Sequence, residues 1–220
     1  MIEVYLAAIG QALPDSVFAA QLQHIPAVER EKITRLRNWQ DRQAALFGKL
    51  LLKKALIPYP TRSLNHLQYT VYQKPLIKDI NFNISHTTKC VGCVISDTHR
   101  VGIDMECVTP TNLDDFRDCF DDHEWKRIVE SPNPHQTFFS YWTKKEAAVK
   151  ADGRGLSLDL KNIRVENNTV SVGEQPWFAT AISFQEDHII HIVTDRKISP
   201  QEIGLHIIDP PECWSGEQST

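Results

Sequence analysis

The order of elements legible in this chain runs twice. A helix read from Asp41 to Leu56 precedes a meander with a hairpin, and a helix from His135 to Asp152 precedes another. Phe82 to Ser85 and Cys93-Val94-Ile95 have rough counterparts in Trp177 to Ser183 and His188 to Val193, each a little under one hundred residues further on. A fixed offset of this kind is the mark of a repeated unit. Helices placed ahead of mostly antiparallel strands give an α+β class. The expected architecture is two halves related by a pseudo-twofold axis, each a long helix on a mostly antiparallel sheet. The predicted boundaries are 1–98, 99–209 and a tail at 210–220. At 220 residues each half has enough chain for a core, and a cleft between such halves is a natural ligand site.

Between these landmarks the reading is coarser. Helices are predicted over 15–24, 29–37, 112–120 and 122–130, and strands over 67–72, 81–85, 90–96 and 100–106. Further strands are expected at 163–166, 169–172, 177–183, 188–194 and 202–208. Met1 to Ile9 carries Glu3 and no basic run, so it reads as a first strand and not as a signal peptide. No apolar run approaches membrane-spanning length. The five cysteines are unevenly spaced, which argues against a disulfide framework. Cys90-Val91-Gly92-Cys93 lacks a helix-opening context and reads as buried strand thiols in a reducing, cytoplasmic protein.

The formal net charge of −4 disfavours wholesale nucleic-acid binding, so an anionic ligand must be held by local cations. Lys32, Arg35, Arg37 and Arg42 lie on early helices, and Lys74-Pro75 precedes the 81–96 hairpin. Each alone is an ordinary solvated cation; together they can bind a phosphorylated ligand. The acids are more telling. Asp104 and Glu106 leave the same face of a strand, with Val101, Ile103 and Met105 on the other. Two like charges so placed repel unless a cation or water lies between them, although for this pair alone a solvated edge strand is the commoner explanation. Glu146 lies one turn before Lys150, and its plainest role is an i,i+4 ion pair of ~0.3–0.5 kcal/mol. If Glu146 meets Asp104 and Glu106, the three carboxylates suit an oxygen-liganded Mg2+.

Asn83-Ile84-Ser85-His86, Gly102-Ile103-Asp104-Met105-Glu106, and Trp142-Thr143-Lys144-Lys145-Glu146 running to Lys150 and Gly153-Arg154-Gly155-Leu156 follow Lys74-Pro75 in that order. In this order and spacing the chain resembles the 4'-phosphopantetheinyl transferases of the surfactin-synthetase type over roughly residues 25–165. The resemblance implies Mg2+-dependent transfer of the 4'-phosphopantetheine arm of coenzyme A to a serine of an acyl or peptidyl carrier protein, releasing 3',5'-ADP. It further implies Asp104, Glu106 and Glu146 as metal ligands for Mg2+ or Mn2+, and Glu146 as general base. Lys150 would neutralise the pyrophosphate and protonate the leaving group. Lys32, Lys74-Pro75, Ser85 and His86 would hold the nucleotide end of coenzyme A. The halves in one chain imply a monomer. Gln73 stands where a Gly often precedes Lys-Pro, and Ala44 where many members carry Arg, for which Arg42 or Lys49 could substitute. A hydrolase built on the same three acids, and a catalytically silent coenzyme A or carrier-binding relative, are the competing readings. Phe116 and Phe120, in a segment otherwise rich in Asp114, Asp115, Asp118, Asp121 and Asp122, are candidate carrier contacts; the acids themselves read as a solvated face.

Overall fold

Strand β1 (Ile2–Ala8) opens the chain and is followed by helices α1 (Asp15–Leu22), α2 (Ala27–Thr34) and α3 (Trp39–Ala55) in a computed structural model that describes residues 1–209. The predicted tail at 210–220, with Cys213, lies outside the described residues. Helix α3 contains no β-branched residue to crowd its backbone, and it buries Ala44, Leu46, Phe47, Leu50 and Leu51. Lys53 and Lys54 favour its C-terminal end, ahead of Pro58. The strand expected over 67–72 is instead a short ribbon, β2 (Gln68–Tyr69) against β3 (Pro75–Leu76), because the chain reverses at Gln73 with φ 63°. That left-handed conformation is the one for which glycine is the usual residue. Gln73 adopts it regardless.

Strands β4 (Asn81–His86), β5 (Cys90–Ser96) and β6 (Val101–Cys107) follow, then helices α4 (Asp122–Val129) and α5 (Pro134–Asp152). Residues 113–119 form a 3-10 turn and not the predicted α-helix. The aspartates there prefer local side-chain bonds, as between Asn112 and Asp115 at 2.9 Å. Asp114, Asp115, Asp118 and Asp122 are exposed, whereas Phe120 is fully buried and cannot meet a partner. Phe116 is half-buried against Phe138 and Trp142. The chain ends in β7 (Ile163–Glu166), β8 (Thr169–Val172), β9 (Gln175–Ile182), β10 (His188–Thr194) and β11 (Ile203–Ile207).

One sheet runs β11-β1-β5-β4 and the other β6-β10-β9-β8-β7. The run β1-β5-β4 and the run β6-β10-β9 correspond, with α3 and α5 in equivalent positions, so the repeated order seen in the sequence is a repeated structure. The correspondence is crossed once: β11, from the end of the chain, lies parallel to β1 and completes the first sheet. Strand β5 is buried at every residue because both its faces are covered. Val91, Cys93 and Ile95 pack under α3; Cys90 and Val94 join Ile2, Val4 and Leu6 against Ile103, Met105, Ile190 and Ile192 of the second sheet. The two thiols thus enter different cores, where burial pushes them up to about 11 and about 12, as expected of inert packing groups. At ~1.5–3 kcal/mol per buried aliphatic side chain, this middle layer is far too costly to open for a ligand. Binding belongs at its rim.

Helix α5 lies across β6 and β10, starting with Pro134 and ending at Gly153 with φ 92°. The approach is closest at Gly102, where a Cβ would stand 2.1 Å from the Ala147 carbonyl oxygen. Backbone cannot give way as a side-chain tip can, so Gly102→Ala should push helix and strand apart. We expect a destabilisation of about 1–3 kcal/mol in urea unfolding, with the placement of the nearby carboxylates at 104, 106 and 146 disturbed as well. Wild-type stability in that variant would show that the helix moves freely.

Candidate active site

The alternation of β6 sends Val101, Ile103 and Met105 into the middle layer and turns Gly102, Asp104 and Glu106 towards α5. Asp104 is buried, and its Oδ1 accepts from Ser85 Oγ at 3.0 Å and from Lys150 Nζ at 2.5 Å. Lys150 Nζ also donates to Ser85 Oγ at 2.8 Å. Asp104 Oδ2 has no hydrogen-bond partner. Burial raises the Asp104 pKa, with Lys150 and Ser85 opposing the rise. Glu106 is pushed up to about 7, by burial first and by the charge of Asp104 second, and Glu146 adds to it. Glu146, half-buried on α5, is raised by burial and then by Asp104. Asp104 therefore raises both glutamates and Glu146 raises Glu106, while the buried Asp104 Oδ2 has no hydrogen-bond partner among the described residues. Orphaned acceptors of this kind are rare and call for an ion or water.

This donor set fits a hard divalent cation, which takes carboxylate oxygen in preference to nitrogen or sulfur. In the structure as it stands, the Lys150 ammonium neutralises Asp104, and the oxygens of the three acids do not all lie within 4.8 Å of one another.

Two cavities meet at these acids. One, of about 260 Å³, is lined by Lys74, Pro75, Asn83, Glu146 and Lys150, with apolar walls from Val149 and Leu160. The other, of about 350 Å³, is lined by Asp41, His86, Thr87, Glu106 and Cys107. His86 is exposed at the end of β4, and its pKa is lowered by desolvation in the groove and then by the Lys150 charge.

Of the residues expected to hold an anionic ligand, His86, Lys74, Pro75 and Lys150 line these cavities. Ser85 faces Asp104 instead. Lys74 reaches across from the first half, and its Nζ donates to the Ala151 carbonyl at 2.7 Å, where Arg100 also binds the end of α5. Gly153 leaves room for this: a Cβ there would meet Lys74 Cδ at 2.7 Å. Burial and the Arg100 charge bring Lys74 down to about 8. Lys32 lines neither cavity. Its Nζ lies 2.7 Å from Glu29 Oε1 and 3.7 Å from the Tyr69 ring centre. Lys49 and the Tyr69 hydroxyl hold the other Glu29 oxygen at 2.9 and 2.8 Å, and these donors lower Glu29 to about 2 against its burial. Lys49, a candidate replacement for the missing Arg, is thus spent on Glu29; Arg42 stands 6.0 Å from the Phe18 ring centre. Ala44 is in the core.

Some contributors have no signature in their own residue type. Asn83 Oδ1 accepts from Ile103 N at 3.1 Å, joining β4 to β6 and so the two halves beside Asp104. His191 is the cross-strand partner of Asp104, buried, held by Thr143 at 2.7 Å and kept neutral by burial with a pKa of about 3. Lys145 points away from the acids into the protein, onto Glu124. Motif spacing marked Asn83 and Lys145, whereas His191 lies outside every motif and had no such signal.

Comparison with known proteins bears on this geometry. Residues 100–205 match the model of the 4'-phosphopantetheinyl transferase superfamily, and residues 14–98 match that of the 4'-phosphopantetheinyl transferase N-terminal region. The 4'-phosphopantetheinyl transferase gsp of Aneurinibacillus migulanus is 28% identical over 173 residues, covering 76% of this chain and 73% of its own. Sfp of Bacillus subtilis strain 168 is 30% identical over 144 residues, covering 62% and 64%. The Bacillus subtilis transferase ffp is 29% identical over 196 residues, covering 82% and 87%.

Proposed function

The chain belongs to the 4'-phosphopantetheinyl transferase superfamily, and from that we propose that it moves the 4'-phosphopantetheine arm of coenzyme A onto a carrier-protein serine with the help of Mg2+. The observation that carries the metal assignment is the orphaned Asp104 Oδ2 beside two glutamates that burial and the Asp104 charge both raise. Asp104, Glu106 and Glu146 would hold the ion. When bound, it would supply positive charge against the pyrophosphate. The reading gives nucleotide-end binding to the first half and the metal with catalysis to the second.

The reaction is a phosphoryl transfer, in which positioning and neutralisation of charge do most of the catalysis. A bond forms between the carrier serine oxygen and the β-phosphorus of coenzyme A, and the bond from that phosphorus to the bridging oxygen breaks. Glu146 takes the serine proton; its raised pKa brings it closer to neutrality, where a carboxylate base is most effective. Lys150, beside Asp104 and Ser85, neutralises the phosphates and gives a proton to the departing 3',5'-ADP. His86 and Lys74, each lining one of the two cavities, serve as anion contacts. Lys32 would reach the nucleotide end only by leaving Glu29. No helix among the described residues is long and apolar enough to cross a membrane. The free thiols support a reducing, cytoplasmic setting.

The test is an intact-mass assay on a panel of apo carrier proteins with coenzyme A and Mg2+. One phosphopantetheine added per carrier, dependent on both, is expected. Coenzyme A consumed without a carrier would favour the hydrolase, and tight binding without turnover the silent relative.

A pH dependence follows from Glu106. Its folded pKa of about 7 lies above its ordinary 4.5, so the metal-free fold favours the protonated form. This group's contribution to metal-free stability is lost as pH rises from about 4.5 towards 7. An ion needs the ionised form, so binding displaces a proton and strengthens with pH up to about 7. We expect Mg2+ to raise the melting temperature clearly at pH 7.5 and little at pH 5.5. Equal gains at both would remove Glu106 from the ligand set.

A further inference from the structure

We propose that Cys107, Asp187 and His188 form a second metal site, for a borderline-soft divalent ion of the Zn2+ type, at the seam beside the carboxylates. The strand pairing of β6 with β10 sets Cys107 directly opposite His188, with Asp187 next in the chain. Their ligand atoms all lie within 4.8 Å of one another. Asp187 Oδ1 lies 2.7 Å from His188 Nδ1, and its Oδ2 lies 3.4 Å from Cys107 Sγ. A thiol and an imidazole thus converge on one carboxylate.

Two protons are shared in this arrangement, and one ion can replace both. The thiol proton leaves to solvent as the S–metal bond forms. The imidazole proton moves from Nδ1 to Nε2, which frees Nδ1 to ligate. Thr87 Oγ1, itself held by the backbone N–H groups of Lys89 and Cys90, lies 3.3 Å from His188 Nε2 and steadies the ring on that side. A ligating histidine whose other nitrogen is held in this way is fixed in ring orientation and tautomer. Lys89 binds Asp187 Oδ2, leaving Oδ1 to the ion. Thiolate and carboxylate together balance a divalent charge.

The ligand chemistry separates this site from its neighbour one residue away. Sulfur, nitrogen and one carboxylate select Zn2+ or Co2+, and an all-oxygen set selects Mg2+. Three protein ligands leave a fourth position for water, and Asp187, with its side chain 45% exposed, opens the site to solvent. Thr87 and Lys89 come from the β4–β5 connection, so the first half would hold two of the ion's three ligands in place. Cys107 and Glu106 line the same cavity.

Co2+ tests this without reference to transfer. Metal-stripped full-length protein, in excess Mg2+, is titrated with Co2+ and read in the near ultraviolet for thiolate-to-metal charge transfer. One Co2+ per chain is expected, displaced by Zn2+, with the band abolished in Cys107→Ser and retained in Cys90→Ser. Zn2+ should also raise the melting temperature of the wild type but not of Cys107→Ser. No charge-transfer band, or one that survives in Cys107→Ser, overturns the proposal and leaves a hydrogen-bonded clasp; either result leaves the carrier-modification assay untouched.

Discussion

Glu146→Gln is expected to lower kcat for carrier modification about 10²–10⁴-fold, the range for loss of a general base, while the melting temperature holds or rises. The two outcomes have one cause. Glu146 is raised by the charge of Asp104 and itself raises Glu106, so the cluster is strained by like charge when no cation is bound. A neutral amide keeps the shape and removes one charge. The Glu106 pKa should then fall below about 7, which carbonyl-region infrared or NMR titration can follow. Near-normal transfer would eliminate Glu146 as base. Lost transfer with a lowered melting temperature would instead make Glu146 a structural residue.

The second large effect concerns the residue beside it. Lys145→Met should cost about 3–5 kcal/mol, the usual penalty for stranding one partner of a buried pair. Lys145 is wholly buried, and its Nζ donates to Glu124 Oε2 at 2.7 Å and to the carbonyls of Cys119 and Leu160 at 3.0 Å each. Its pKa is lowered by burial first, and Glu124 resists that. Glu124 Oε1 accepts from Val165 N at 2.8 Å, so one acid ties α4, α5 and β7 together. Against a total stability of ~5–15 kcal/mol, this loss takes a large part of the folding margin. Lys145→Met with Glu124→Leu should cost less than the two single losses combined, yet stay destabilised, because Val165 N then loses its acceptor. A wild-type urea midpoint for Lys145→Met would show the pair to be dispensable. The lysine of Trp-x-x-Lys-Glu is on this account a fastener, set beside the glutamate proposed as base.

Sequence pattern reached the cluster of three acids because strand alternation and helical spacing are local rules. Asp104 and Glu106 had to share a face, and Glu146 and Lys150 had to lie one turn apart. Whether the two pairs met depended on Gly102, whose missing side chain lets α5 settle on β6. The cations were less legible, since a lysine's reach is set by whatever acid it finds. Lys32 found Glu29 and Lys74 found the end of α5, partners 3 and 77 residues away. Asp121-Asp122-His123-Glu124 could be read as a capping box, and it is one. Nothing local announced that Glu124 would also receive Lys145. Phe120 failed as a docking residue for a similar reason: an aromatic among aspartates is as readily the one that turns inward.

The return of β11 to the first sheet bears on how the chain is made. Synthesis delivers β1, β5 and β4 long before residue 203, so the emerging protein carries an unpaired β1 edge until its last strand is released. An open edge recruits other strands. Chains halted before residue 203 should therefore aggregate, and the first half, expressed by itself, should need β11 supplied as a peptide to stay monomeric. Two units that look duplicated have become a single cooperative object, closed by its final strand.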